Sequence, residues 1–165
     1  MDIQAARLYS IGVHEASHAV AGHVLGLIVA GLEYGVNGGT CHFGPRVIDT
    51  PTEARRGAII MWSGEVGQQM LVPRRVAALA GASDHGIVDG DRTILMDLSM
   101  TWGQPDPVAW CKAAKVRATA LLAVHLGVLR ATALAVWHGQ DIHMTHEPLL
   151  WVKPDDRYAR PFTQD

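Results

Sequence analysis

The sequence predicts a mainly helical single domain carrying one small β-hairpin. Apolar residues recur at helical spacing over most of the chain, as in Val13, Ala16, Val20 and Val24, and again in Ala58, Trp62, Val66 and Met70. Strand-like character is confined to residues 27–43, where the turn signal Asn37-Gly38-Gly39 separates two short apolar runs. No repeat, low-complexity run or linker divides the 165 residues, so 1–165 read as one domain with enough chain for a real core.

Each element has its own signals. A first helix runs from about residue 3 to Leu25 and stops at Gly26. Residues 27–36 and 40–43 form the strands around the glycine turn. Thr50-Pro51-Thr52-Glu53 is a helix start, and Pro73 ends that helix. A short further turn over 74–80 closes at Gly81, and residues 82–90 read as a loop rich in Asp, His and Gly. Asp91 opens another helix with Leu95, Leu98 and Trp102 on one face, broken by Gly103-Gln104-Pro105. Asp106-Pro107 then starts a long helical region, 108–138, in which Gly127 is the expected place of a kink or split and Gly139 the end. From about residue 141 the chain reads as an irregular tail with a short turn near Thr145. Trp62, Trp102, Trp110 and Trp137 fall on helical faces and read as core.

Composition excludes several classes of function. The net charge of -2 and the lack of a basic block argue against nucleic-acid binding. Cys41 and Cys111 lie far apart and form no Cys-x-x-Cys pair. Residues 1–10 lack a charged end followed by an apolar run, so no signal peptide is expected; free thiols in a reducing, cytoplasmic setting are. Residues 118–137 are mostly Ala, Leu and Val but contain His125 and Arg130. An arginine at mid-span would cost roughly 2.5–3.5 kcal/mol, so this stretch reads as a buried core helix, with a membrane span the distant alternative.

The chemistry centres on His14-Glu15-Ala16-Ser17-His18. On a helix His14 and His18 lie one turn apart on one face, where two neutral imidazoles can hold a divalent ion, typically Zn2+. Glu15 is the next side chain round, placed to take a proton from a metal-activated water. A catalytic zinc usually takes three protein ligands. The third candidates are Glu65 on the second helix and Asp84, Asp89 or Asp91 from the acidic loop; His85 is a further donor within reach. His23 is turned away from the pair and reads as a surface or core histidine. His138, His143 and His146 have no familiar metal spacing, and Cys111 reads as a small buried apolar residue. The hairpin beside the metal helix could hold an extended peptide by strand addition, or be simply a hairpin.

Several stretches, in order, resemble the peptidase domain of the FtsH-type membrane proteases, here without an ATPase. His14-Glu15-Ala16-Ser17-His18-Ala19-Val20 resembles the family's His-Glu-Ala-Gly-His-Ala-Val. Residues 58–69 resemble its second helix, with Gln68-Gln69 in place of two glutamates. Gly81-Ala82-Ser83-Asp84 resembles the segment that supplies the family's aspartate ligand, Met100-Thr101-Trp102-Gly103 the end of the next helix, and the Ala/Leu-rich region up to Asp141-Ile142 the closing helices. The acidic loop is longer here. Asp84 matches by the Gly-Ala-Ser before it, whereas Asp91 matches by the helix it opens. A ligand needs a rigid support, so Asp91 is favoured, with Asp84 as the alternative and Asp89 third.

The resemblance implies a zinc metalloendopeptidase of the FtsH-type zincin fold, with His14, His18 and Asp91 on the metal and Glu15 as general base. It implies polypeptide substrates and a homo-oligomer. The chain has no Gly-x-x-x-x-Gly-Lys-Ser/Thr loop, so the expected substrates are flexible or unfolded segments, or a separate ATPase or adaptor partner supplies them. Ser17 in place of the family's glycine, and the missing ATPase, keep open an alternative: a non-catalytic, zinc-stabilised protein-interaction module. A helical regulator without metal is a third reading.

Overall fold

The computed structural model describes residues 1–35, 37–81 and 89–162, with Asp89 by its backbone alone. The architecture is mainly helical with a two-stranded antiparallel sheet. Helix α1 (Ile3–Val24) is the axis of the fold, in contact with α2, α3, α5, α6 and both strands. Asp2 caps it by accepting from the Ala5 N–H at 2.7 Å, and Gly26, at φ 82°, lets the chain leave it. Its second half is buried almost all round, as an axial helix must be.

The hairpin pairs β1 (Val29–Gly35) with β2 (Gly38–Phe43), Leu32 opposite Cys41 and Tyr34 opposite Gly39. Helix α2 (Pro51–Leu71) starts at Thr50, whose hydroxyl accepts from the Glu53 N–H, and lies along α1. Small residues permit the close approach: Gly64 faces His14 and Gly67 faces Ser17. A short α3 (Arg74–Leu79) comes next. Helix α4 (Asp89–Trp102) is already helical at Asp89, two residues before the expected start, and buries Leu95 and Leu98.

Asp106 caps α5 (Pro107–Val124), accepting from the Ala109 N–H at 2.9 Å. The helical region expected over 108–138 is split, close to the glycine where a kink or split was expected. It breaks at His125, two residues before Gly127, and α6 (Leu126–Trp137) leaves at 83°. The bend lets Ala114, Ala118 and Leu121 face the core where α5 packs on α2, while Leu129, Ala133 and Val136 do so where α6 packs on α1. One straight helix could not reach both. No single described helix is long and apolar enough to cross a membrane.

The end of the chain is more ordered than an irregular tail. It contains α7 (Glu147–Leu150) and a 3-10 turn at Asp156–Ala159, and it buries Ile142, Leu149 and Ala159. Backbone bonds from Met144 N–H to Val29 O and from Asp155 N–H to Val24 O fasten it to the end of α1 and the start of β1. Trp62, Trp102 and Trp110 are half-buried against the rim of the core, and Trp137 is half-buried edge-on to Tyr9, none of them inside it. Each is too large and polar-tipped for the small residues that fill the centre.

Candidate metal centre

The HExxH segment lies in the buried half of α1, with His14, Glu15 and His18 all inside the fold. The first turn of α4 brings Asp91 across from the histidines. Its Oδ2 lies 2.9 Å from His14 Nε2 and 3.1 Å from His18 Nε2, and the two Nε2 atoms are 3.0 Å apart. Among the described residues this is the one group of three or more His, Cys, Asp or Glu side chains whose donor atoms converge closely enough to hold a metal ion.

The far side of each imidazole is fixed. His18 Nδ1 is 2.8 Å from the Ile60 carbonyl, which can only accept, so Nδ1 carries the proton. Ser63 Oγ, itself bonded to the same carbonyl, stands 3.3 Å from that nitrogen. His14 Nδ1 faces Gln68 Oε1 at 3.3 Å. The Gln68 amide nitrogen donates to both Ser10 O and Ser10 Oγ, which orients its oxygen toward the ring. His14 Nδ1 is therefore also the protonated nitrogen. The two free Nε2 lone pairs and a carboxylate oxygen then point at one another in a buried space. Such convergence of acceptors is costly unless a cation sits among them. With two imidazole nitrogens, one carboxylate and no thiolate, the donor set suits a borderline divalent ion.

The electrostatics point the same way. Burial works to lower the His18 pKa, but the hydrogen bond and charge of Asp91 overcome it and hold His18 above its ordinary value of 6.5. Burial works to raise the Asp91 pKa, but the hydrogen bonds from His14 and His18 outweigh it and hold that carboxyl far below the usual range. Glu15 is the opposite case: burial dominates and lifts its carboxyl above 4.5, against the pull of the neighbouring His18 and His14.

Glu15 is held from the hairpin side. Gly39 of the hairpin lies directly against its side chain. The other sequence candidates are elsewhere. Glu65 is buried but engaged by Lys115 Nζ at 2.6 Å and Gln69 Nε2 at 2.7 Å, away from the histidines. Asp84, His85 and the Asp89 side chain lie outside the described residues. His23 Nε2 meets the Val152 carbonyl at 3.0 Å and ties α1 to the end of the chain. His138, His143 and His146 do not converge with other donors on any metal-sized site among the described residues. Cys41 and Cys111 are free and half-buried.

Sequence reasoning missed the groups that hold the imidazoles. Gln68, four residues after Gly64, lies with it on the α2 face turned to α1, and that spacing was the available signal. The Ile60 carbonyl carries no side-chain signature at all. Searches against protein-family models and against curated proteins return no match to this chain.

Proposed function

We propose that the chain is a zinc-dependent metalloendopeptidase acting on flexible or unfolded polypeptide, with a fold similar to the FtsH-type peptidase domain. The observation that carries the reading is the convergence of His14 Nε2, His18 Nε2 and Asp91 Oδ2, with both Nδ1 protons used elsewhere and a buried carboxylate, Glu15, alongside. The order along the chain supports the likeness: a His-Glu-x-x-His helix, a hairpin, a second helix behind the histidines, then an aspartate in the first turn of a further helix.

His14, His18 and Asp91 would hold the ion. A divalent ion bound there polarises the scissile carbonyl and lowers the pKa of a water. Glu15 accepts one proton from that water as its oxygen bonds to the carbonyl carbon, then delivers the proton to the amine nitrogen as the C–N bond breaks. Its buried setting raises the carboxylate's proton affinity above that of an exposed glutamate. Gln68 and the Ile60 carbonyl keep both rings turned with Nε2 inward throughout. Strand β2 has one strand partner among the described residues, β1, and its Gly39 lies against Glu15. An extended peptide laid along its other side would pass beside the proton carrier.

The test is hydrolysis of a mixed pool of unfolded peptides by zinc-loaded protein, beside a Glu15→Gln variant. Cleavage by the parent and not by the variant is expected. Zinc bound by both with no cleavage by either would replace this reading with the non-catalytic, zinc-stabilised interaction module.

A further inference from the structure

Gly39 occupies an interior position of β2, opposite Tyr34, where glycine is a poor strand former. The backbone does not ask for it: Gly38 next door has φ 146°, but Gly39 lies outside the left-handed region. What excludes a side chain is Glu15. A Cβ on Gly39 would stand 2.6 Å from Glu15 Cγ, 2.9 Å from Cδ and 2.8 Å from Oε1. Further along the same pair of elements the relation is reversed. The Phe43 ring fills the space at Gly22, where a Cβ would meet Cε1 at 2.1 Å.

Strand and helix are thus locked at two points, a helix side chain on a bare strand and a strand side chain on a bare helix. If β2 backed away from the first contact, the Phe43 ring would lift off Gly22 and its packing there would be lost. The nearest Glu15 atom is Cγ, one bond beyond Cβ, so the carboxylate cannot yield by turning its far end. The whole side chain would have to leave its rotamer, inside a buried site. We propose that Gly39 is the positioning residue for Glu15: its missing side chain sets where the carboxylate stands relative to the histidines. The catalytic consequence rests on the peptidase reading, whereas the steric coupling does not.

The experiment is a double-mutant cycle read by thermal unfolding, with zinc content and peptide cleavage measured on the same samples. Gly39→Ala is expected to lower Tm by about 4 °C or more in the parent. The drop should persist beside Glu15→Gln, which has the same shape, and largely vanish beside Glu15→Ala. Zinc content stays at that of the parent, and kcat falls by about 100-fold with KM little changed. If Gly39→Ala fails to fold alone but folds with Glu15→Ala, the coupling stands. An equal Tm shift in all three backgrounds, no shift in the parent, or failure to fold even with Glu15→Ala overturns the proposal. A parent that cleaves nothing while the Tm coupling holds removes the peptidase reading and leaves the Gly39–Glu15 lock in place.

Discussion

Ser17 Oγ fills the space beside Gly67: a Cβ on that glycine would lie 1.8 Å from the hydroxyl and 2.7 Å from Ser17 Cβ. Ser17 is fully buried, and its hydroxyl donates to the Val13 carbonyl at 2.6 Å. The serine that distinguishes this motif from His-Glu-Ala-Gly-His therefore has a bare patch of α2 to receive it. Gly67→Ala is expected to destabilise the protein by about 1–3 kcal/mol through overpacking. Ser17→Gly should remove much of that cost in the double variant. Urea unfolding of the two single variants and the double variant measures the coupling, and strictly additive values would contradict it.

Gln68 supports the candidate metal ligand His14 from behind. Its oxygen faces His14 Nδ1 while its nitrogen is tied to Ser10. Gln68→Ala frees the ring to turn, and zinc affinity is expected to fall by about 10–100-fold. Gln68→Glu keeps an acceptor toward His14 but sets a second oxygen against the Ser10 carbonyl, so zinc affinity should fall less than in Gln68→Ala. Competition against a chromophoric chelator gives both values.

Glu65 and Lys115 form a pair apart from the metal centre, with Lys115 Nζ 4.6 Å from the centre of the Trp62 ring. Lys115→Met leaves the buried Glu65 carboxylate with only the Gln69 amide as a partner. A loss of about 1–3 kcal/mol is expected, with zinc stoichiometry unchanged. Reduced zinc content in Glu65→Gln would show instead that Glu65 belongs to the metal site.

Burial, helped by the Glu15 charge, pushes the Cys41 thiol well above its ordinary 9.0. The reactive form is the thiolate, so at pH 8.5 the folded protein should leave Cys41 unalkylated by iodoacetamide, while protein in urea is labelled there. The folded state keeps its proton where the unfolded state has lost it. The associated stability is therefore fully present below pH 9.0 and declines as pH rises beyond it. Peptide mapping by mass spectrometry reads Cys41 separately from Cys111.

How much was legible depends on where the signals reside. Helices α1, α2 and α5 announce themselves through local chemistry: Thr50-Pro51 and Asp106-Pro107 at their starts, Gly26 at an end. The hairpin was equally plain from Asn37-Gly38-Gly39. The break at His125 lies two residues before its local signal, Gly127, whereas the 83° angle follows from α5 and α6 packing on different partners, which only tertiary contacts decide. The order in the tail depends on two backbone hydrogen bonds to distant elements. At the metal centre, the one-turn spacing of His14 and His18 was legible because it is local. The place of Asp91 opposite them depends on how α4 docks, and the Ile60 carbonyl and Gly39 act through backbone, which leaves no mark in a side-chain pattern.

Zinc binding by equilibrium dialysis, on metal-stripped parent beside Asp91→Asn and His18→Ala, tests the central claim most directly. Two inward lone pairs and a carboxylate around one buried point should take up one equivalent in the parent, with affinity lost by at least about tenfold in each variant. No uptake by the parent, or uptake by Asp91→Asn equal to the parent's, would contradict the account.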